Sequence, residues 1–356
     1  MAVAVRQIES APRVEARGVS LRAGLVAAGF LLVALVVGLA IGPVHIGLGA
    51  ILRSALSYVP GLHVRQPLAV NDHAILWQLR APRVALAALV GGMLAIAGAS
   101  YQGVFRNPLA DPYLLGVAGG AGLGATLAIV YSVTAAAGSW AVPLAAFVGA
   151  IAAVGMTYAL GRSAGAARTT GALVLAGVTV ATFTAAVQTF VQQRHTDVLQ
   201  NVYSWLLGGF SGSTWSDVAV CVPYIALSSL VLLLHRRVLD VLSLGDDEAA
   251  SLGINVARAR GVIVIAATLG TAAAVSVSGL IAFVGIIVPH TIRLLVSTSY
   301  RAVIPLSLAA GAGFLVLTDV FARTILSPAE LPIGVVTAFF GAPFFAVVLR
   351  TSRSMR

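Results

Sequence analysis

Long apolar runs dominate this sequence and restrict what it can fold into. Of its 356 residues, 59% are hydrophobic and only 10% are charged, whereas a soluble domain carries about 25% charged residues. The first run, Leu21 to Ile41, has about the length that an α-helix needs to cross a bilayer. It is too long for the core of a signal peptide. The sequence therefore predicts a polytopic membrane protein of the all-α class.

Nine further apolar runs follow, so we expect about ten transmembrane helices. The polar interval between the first two runs should include a short surface helix around Leu48 to Tyr58. The later runs lie at roughly 78–105, 113–134, 140–161, 170–193, 215–235, 258–276, 279–297, 302–326 and 333–350. We divide the chain into an N-terminal tail (1–20), one transmembrane domain (21–350) and a C-terminal tail (351–356). Dense glycine in the second and third runs predicts close helix packing.

Arginine predicts the orientation of these helices. All 22 basic residues are arginine, and the net charge is +10. Ten spans put both termini on one side, and sixteen arginines fall on that side against six on the other. Basic residues accumulate on the cytoplasmic side of membrane proteins. We therefore expect both termini in the cytoplasm, and we interpret the charge as topology rather than as nucleic-acid binding.

The residue types that are rare or missing exclude several chemistries. A phosphate-binding GxxxxGK[ST] loop needs lysine, and the sequence has none, so the chain is not itself a P-loop ATPase. Cys221 is the only cysteine and can form no internal disulfide. No Cys/His cluster has the spacing of metal ligands. We expect no catalytic residue, no cofactor and no metal site.

The most polar interior interruption is residues 238–260, VLDVLSLGDDEAASLGINVARAR, called the acidic knob below. Three consecutive acids open a predicted short helix over Glu248 to Leu252. Negative charge in a first turn suits the helix dipole. Ser243 or Asp246 can supply the N-cap.

The second half of the acidic knob should turn into the next helix. Gly253 can supply a left-handed stop, and Asn255 can cap a helix that begins at Val256. By the arginine count the knob lies in the cytoplasm. A folded element in that position predicts a partner protein against which it packs.

Five stretches together resemble the permease subunits of ATP-binding-cassette importers for ferric siderophores, haem and vitamin B12. They are RAPRVALAALVGGMLAIAGASYQGVFRNPLADPYLLGVAGGAGLGA (80–125), YSWLLGGFSGSTW (203–215), the acidic knob, SGLIAFVGIIVPHTIRLL (278–295) and DVFARTILSPAELPIGVVTAFFGAPFF (319–345). The resemblance covers nearly everything after Arg80 in the right order, and the vitamin B12 permeases are the most similar in pattern.

The resemblance implies a type II importer in the bacterial inner membrane, in which this chain pairs with a second copy of itself within the lipid. Two separate ATPase subunits would bind below, and a periplasmic or lipid-anchored substrate-binding protein would dock above. The expected cargo is an iron chelate, either haem or a ferric siderophore, with vitamin B12 as the alternative. No nucleic acid is expected as a partner. The acidic knob would hold the coupling helices (238–257), which contact the ATPase through Asp246, Asp247, Glu248, Leu252 and Gly253.

The resemblance also assigns residues to a gate, a docking surface and a pathway. The cytoplasmic gate would be formed by Asn107, Leu109, Thr170 and Gly171, although Gly171 lacks the hydroxyl of the family's pattern. The binding protein would dock on Arg80, Arg83 and Arg323, and Arg323 could instead pair with Asp319, one helical turn earlier. The transport pathway would be lined by Thr179, Thr182, Gln188, Thr337 and Phe340.

Two ionisable residues in the eighth run are interpreted as structural. An ionisable residue within a span is a functional candidate by default. We expect His290 to be neutral and hydrogen-bonded to a neighbouring helix. Arg293 lies near the cytoplasmic end of the run, where its side chain can reach the interface.

Two other classes of transport protein remain as alternatives. An ion-coupled secondary transporter usually places acids near the bilayer midplane, but here the acids lie mostly in loops, with Asp319 near the outer end of its span. A passive channel would require neither the acidic knob nor outer arginine pairs.

Overall fold

The computed structural model describes residues 18–58, 68–131, 140–163 and 170–353. The described segments form helices joined by short connections. The α-helices are α1 (Leu21–Ala40), α2 (Leu48–Leu56), α3 (Val70–Ala74), α4 (Ala81–Phe105), α5 (Val117–Val130), α6 (Ala141–Ser163), α7 (Thr170–Arg194), α8 (Leu199–Leu206), α9 (Trp215–Leu234), α10 (Arg236–Leu242), α11 (Asp246–Ser251), α12 (Val256–Ser278), α13 (Val284–Leu295), α14 (Tyr300–Thr324) and α15 (Ile333–Arg353).

The predicted all-α, multi-pass architecture is confirmed. Seven helical segments are long and apolar enough to cross a membrane by length and composition, and α5, α13 and α15 are shorter apolar helices. These ten correspond in order to the ten predicted runs. The short surface helix predicted after the first run is α2. The predicted N-terminal tail lies outside the described residues except for 18–20, and the C-terminal tail is described only to residue 353.

The eighth predicted span begins later than expected because its first residues are not helical. Gly279 (φ 66°) ends α12, and α13 begins only after Phe283 (φ 69°). The Tyr113 hydroxyl donates to the carbonyl of Ile281 at 3.0 Å and accepts its N–H at 3.1 Å. Non-helical backbone at membrane depth is tolerated where protein groups satisfy it. This hydrogen-bonded pair therefore replaces the helix locally.

Helix α4 lies at the centre of the bundle, with 83% of its most apolar window buried. Its glycines let neighbouring backbones come close: a Cβ on Gly91 would lie 2.3 Å from the carbonyl oxygen of Gly311 in α14, and one on Gly98 would lie 2.1 Å from that of Gly285 in α13. Such distances leave no room for any side chain. The close packing expected from the glycine content is therefore present at these crossings.

The second span starts earlier than predicted, because a π-helical segment joins α3 to α4. This segment, Ile75–Arg80, immediately precedes Pro82. A proline inside a helix removes one backbone hydrogen bond and clashes with the carbonyl four residues before it. Widening the preceding turn accommodates that clash, and it leaves Arg80 and Arg83 at the junction between the two helices.

The acidic knob folds as two short helices, α10 and α11. The predicted helix over Glu248 to Leu252 is observed as Asp246–Ser251. The prediction of a side-chain N-cap is wrong. Gly245 occupies that position at φ 143°, the Ser243 hydroxyl donates instead to the Asp240 carbonyl, and Asp246 is the first residue of α11.

The turn that follows α11 agrees with the sequence. Gly253 adopts φ 82°, the left-handed conformation that favours glycine at a helix end. The Asn255 side-chain oxygen accepts the N–H of Arg258 at 3.0 Å, so Asn255 caps α12 as expected.

Candidate functional site

Two polar regions occupy opposite ends of α4. Arg83 lies in its first turn and Arg106 directly follows its last residue. At about 1.5 Å per residue the 25 residues of α4 separate these ends by about 37 Å. We call the two ends of the bundle the Arg83 end and the knob end.

At the knob end, α10 is fixed to two transmembrane helices. Asp240 accepts the N–H of Tyr300 at 2.5 Å and the hydroxyl of Ser299 at 2.8 Å, and it lies 3.3 Å from Nε of Arg301. These groups form the N-terminus of α14, where negative charge is favoured. Leu239 is buried against Gly103 of α4. A displacement of α10 therefore acts directly on α4 and α14.

Asp246 ties α11 to two further elements. Its Oδ1 atom accepts from Nη2 of Arg260 in α12 at 2.9 Å and lies 3.3 Å from Nη2 of Arg106. Arg106 adopts φ 50° at the end of α4 and begins the loop that contains Asn107 and Leu109. The predicted partner-contacting side chain of Asp246 is thus turned toward its own bundle, because two arginines attract it there.

The other predicted coupling residues lie on the solvent-exposed part of the acidic knob. Asp247, Glu248 and Gly253 are exposed, and Leu252 is 64% exposed. Leu244, which the sequence reasoning did not single out, is 55% exposed on the same knob. An exposed apolar pair beside two carboxylates is a surface that a partner protein can cover.

The predicted gate residues lie at the knob end. The Asn107 side-chain oxygen accepts the N–H of Leu109 at 2.9 Å, which holds the loop in a turn, and Leu109 is 37% exposed. Gly171 is exposed at the start of α7, whereas the side chain of Thr170 lies outside the described residues. The second turn of α7 packs on the short 3₁₀ turn after this loop, since a Cβ on Gly177 would lie 2.0 Å from the Leu114 carbonyl oxygen.

The two ionisable residues of α13 make packing contacts. Arg293 donates to Oε1 of Gln102 at 2.5 Å and to the Tyr300 hydroxyl at 3.4 Å, and its guanidinium lies over the Tyr300 ring. These contacts agree with a structural role for Arg293. His290 meets the neighbouring helix α15 through edge-to-face packing on Phe344, with ring centroids 5.9 Å apart.

At the Arg83 end, one arginine binds two carboxylates. Arg83 pairs with Asp319 at 2.8 Å and with Glu330 at 2.8 Å. Ser211 donates to the second oxygen of Glu330 at 2.6 Å. The Asp319 side chain is only 1% exposed, whereas that of Glu330 is 37% exposed. The sequence reasoning missed Glu330 and Ser211, although Glu330 stands in the quoted stretch 319–345.

Arg80 and Arg323 are buried, contrary to the surface position expected for docking residues. Arg80 donates to the carbonyls of Leu39 and Ala40 at 3.0 and 3.1 Å and also to that of Val44. Arg323 donates to the carbonyl of Gly38.

The last carbonyls of a helix lack partners within the helix and carry partial negative charge. The two guanidinium groups satisfy those carbonyls at the end of α1. Arg323 also lies 3.7 Å from Asp319, which is the alternative pairing that the sequence allowed.

Glu330 lies in the loop after α14, and its ionisation is set by its neighbours. Burial alone would raise the pKa of Glu330, but hydrogen bonds from Arg83 and Ser211 outweigh that effect and hold the pKa below its ordinary value. Glu330 is therefore a carboxylate at neutral pH. A cavity of about 450 Å³ opens beside it and is also lined by Arg83 and Ser211.

The predicted pathway residues divide into exposed and buried positions. Thr179 and Thr182 are exposed on α7, and Phe340 is 52% exposed on α15. Gln188 is half-buried against Gly122 of α5. Thr337 is buried and donates to the Gly334 carbonyl, so in this chain it does not lie on the exposed face with the other four.

Comparison with known proteins gives one family. The model of the FecCD transport family matches residues 30–351. An uncharacterized ABC transporter permease protein of Bacillus subtilis, YvrB, is 38% identical over 95% of this chain and 96% of its own. The hemin transport system permease protein HmuU of Yersinia pestis is 35% identical over 92% of this chain and 96% of its own.

Two further similar proteins are a cobalamin permease and a transporter of known structure. The cobalamin import system permease protein BtuC of Halobacterium salinarum is 41% identical over 78% of this chain and 73% of its own. A solved structure of a metal-chelate type ABC transporter in an inward-facing conformation superposes with a TM-score of 0.79. It is 28% identical and covers 92% of this chain and 98% of the other.

The two ion pairs that Arg83 makes, with Asp319 and with Glu330, should contribute very unequally to the free energy of unfolding. Replacing Arg83 by Met leaves the buried Asp319 with only a distant partner, which should cost about 3–5 kcal/mol. Glu330→Gln removes a half-exposed pair and should cost at most about 1 kcal/mol. Thermal unfolding of the purified protein in detergent measures both.

The pH dependence of the same unfolding experiment follows from the lowered pKa of Glu330. A depressed carboxyl pKa stabilises the fold fully above the ordinary value, and this contribution is lost as pH falls through the folded-state pKa. The small difference in Tm between the wild type and Glu330→Gln should therefore shrink on acidification from pH 7. A difference that grows in acid would contradict this assignment.

Proposed function

The chain belongs to the FecCD transport family, and from that premise we propose that it carries an iron chelate, haem or a ferric siderophore, inward across the bacterial inner membrane. It is the permease subunit of an ABC importer and not an enzyme. In this proposal two copies form the pathway, and two separate ATPase subunits and a substrate-binding protein complete the machine. The single observation that carries it is the match over residues 30–351.

The acidic knob supports the proposed contact with an ATPase. Leu244 and Leu252 expose apolar surface, and Asp247 and Glu248 place two exposed carboxylates beside them on a folded element. This chain has no lysine and no P-loop, so the nucleotide chemistry belongs to another subunit. With the knob in the cytoplasm, both termini lie there too.

The attachments of the knob support a mechanism in which it moves as a rigid unit with the bundle. When the ATPase subunits close on nucleotide, α10 and α11 move with them. Asp240 transmits the displacement to α14, and Leu239 transmits it to α4. Asp246 transmits it through Arg106 to the loop of Asn107 and Leu109, which in this proposal opens and closes the cytoplasmic end together with Thr170 and Gly171.

The exposed faces of α7 and α15 support the proposed homodimer and pathway. In the single chain both helices expose apolar side chains on the outside of the bundle: Leu175, Val178, Phe183, Phe190, Val335, Phe339 and Phe340. Thr179 and Thr182 share the α7 surface and add hydroxyl groups to it. A large amphiphilic cargo requires a wide, mostly apolar surface that binds it weakly. In the proposal, Thr179, Thr182, Gln188 and Phe340 face this route.

Vitamin B12 is the second candidate cargo. The relatives include a hemin permease at 35% identity and a cobalamin permease at 41% identity, so both chemistries occur among proteins of comparable similarity. The cobalamin relative is the more identical but over a shorter share of the chain. Spectroscopy of the ligand held by the cognate binding protein distinguishes a corrinoid from an iron chelate.

An ion-coupled mechanism finds little support in the charged residues. An acidic residue that couples transport to an ion would have to bind and release that ion during each transport cycle. Asp319, the acid closest to such a position, is buried between Arg83 and Arg323. The charge of Asp319 is already balanced by its hydrogen-bonded pair with Arg83, and the positive charge of Arg323 nearby disfavours a coupling cation there.

The proposed ATPase contact predicts the effect of one charge on the knob. Leu252→Glu should reduce both co-purification of the ATPase subunits and ATP-driven uptake in proteoliposomes by about tenfold, the equivalent of about 1.4 kcal/mol. Leu52→Glu is the matched control, because Leu52 is 60% exposed on α2 at the Arg83 end. Uptake that a proton gradient drives without any ATPase would contradict the proposal.

Docking of the binding protein is proposed to involve Arg83, the least buried of the three predicted docking arginines. A partner carboxylate would have to share Arg83 with Glu330. Glu330→Gln should therefore strengthen capture of the binding protein several-fold, and more at low salt than at high salt, because ionic screening weakens exposed charge pairs.

Asp197→Asn is the matched control for docking, since it removes one exposed negative charge from the same end. If both variants change capture equally, the effect is a general one of net charge. Arg83 would then not be the docking residue.

A further inference from the structure

An apolar groove runs along the outside of the bundle between α6 and α12. Its volume is about 450 Å³. It is lined by Ile151, Gly155 and Tyr158 on α6 and by Gly261, Ile265 and Leu269 on α12. Ile265 is 67% exposed. The groove is therefore an indentation of the surface that faces the membrane.

Two glycines keep the floor of the groove open. A Cβ added to Gly155 or to Gly261 would meet nothing within 4 Å. The glycines at the crossing of α5 and α6 differ, because a Cβ on Gly120 would lie 2.2 Å from the carbonyl oxygen of Gly149. Gly155 and Gly261 therefore serve no close helix contact within this chain, and they leave space that another molecule can fill.

Both walls of the groove continue into an arginine. On α6 the lining positions 151, 155 and 158 are followed by Arg162, one turn further on the same face. On α12 the positions 261, 265 and 269 are preceded by Arg258, three residues earlier on the same face. Tyr158 of α6 and Gly261 of α12 line the same groove, so the arginine-bearing ends of the two helices lie together.

Arg162 and Arg258 are exposed, so their positive charges are accessible to a ligand. Within the described residues, neither Arg162 nor Arg258 has a carboxylate at salt-bridge distance. Asp246, by contrast, is already held by Arg260 and Arg106. Among the described residues, the mouth of the groove thus carries two arginines without a carboxylate partner at the knob end.

The length of the groove matches one leaflet of a bilayer. Eleven residues separate Ile151 from Arg162, which corresponds to about 16 Å of helix. Half of the hydrocarbon core of a bilayer is about 15 Å thick. The apolar part therefore spans the acyl region of one leaflet, and the arginines lie at the depth of its headgroups.

We propose that this groove binds an anionic phospholipid of the leaflet on the knob side. One acyl chain occupies the space over Gly155 and Gly261, and the headgroup phosphate pairs with Arg162 and Arg258. Lipid tails are as apolar as the groove, so the acyl chain binds through its fit to the shape of the groove. The two arginines make the site selective for an anionic headgroup. The site does not depend on which cargo the protein carries.

The headgroup contact is tested on the full-length protein. The protein is equilibrated in mixed micelles with equal amounts of phosphatidylglycerol and phosphatidylcholine, and retained lipid is counted by native mass spectrometry. The wild type should prefer phosphatidylglycerol, and each arginine should contribute about fivefold to that preference. The Arg162→Gln/Arg258→Gln double variant should lose it, whereas the control pair Arg53→Gln/Arg194→Gln, which lies away from the groove, should keep it.

The acyl-chain contact is tested by filling the groove. Gly155→Leu and Gly261→Leu should each abolish the most strongly retained lipid, and Gly29→Leu on α1, where an added Cβ also meets nothing, should not. Unchanged lipid preference in the arginine double variant would overturn the proposal. So would retention unaffected by groove filling, or displacement of phosphatidylglycerol by inorganic phosphate, which would indicate a free-anion site.

Discussion

Transmission of movement through this protein depends on the attachment of the acidic knob to the transmembrane helices. A surface helix that hangs on a flexible loop transmits no displacement, whatever binds to it. Here Asp240 receives the N-terminus of α14, Leu239 is buried against α4, and Asp246 lies between Arg260 and Arg106. Each contact joins α10 or α11 to a different helix, so these two short helices cannot shift without moving the ends of α4, α12 and α14. The close crossings of α4 with α13 and α14 then carry that movement into the bundle as a whole, because backbones in contact cannot yield separately.

The opposite end of the bundle is organised by buried charge. Burying an arginine at membrane depth costs free energy unless its N–H groups are hydrogen-bonded. Here each guanidinium group has acceptors within the protein. Arg80 and Arg323 satisfy the last carbonyls of α1, while Arg83 binds Asp319 within the protein and Glu330 at its surface. Only the last of these contacts is accessible to another molecule. The arginine pattern that resembles a docking surface is therefore mostly an internal cap, and the exposed contribution is confined to one pair.

The fold followed from the sequence because apolar length is a local property. Ten runs gave ten helices, and Gly253 and Asn255 gave the turn after α11. The N-cap of α11 did not follow, since Gly245 fills a position for which Ser243 and Asp246 were the better local candidates. The burial of individual site residues could not be predicted from the sequence either. Arg80 is buried against the end of α1, about 40 residues before it, and one of the two arginine partners of Asp246 lies 140 residues before it. Spacing along one helix identifies a face, but it does not identify what covers that face.

The most direct test of the central claim is to remove the charge of Asp246 and to measure ATP hydrolysis and uptake in the same proteoliposomes. Asp246→Asn weakens the link between the knob and the loop of Asn107 but leaves the exposed surface of Leu252 intact. Asp247→Asn removes the same charge from the neighbouring exposed position. The account predicts that the Asp246 variant still binds the ATPase subunits and that they still hydrolyse ATP, while the amount of cargo imported per ATP falls well below that of the Asp247 variant. An unchanged ratio of import to hydrolysis in the Asp246 variant would contradict it.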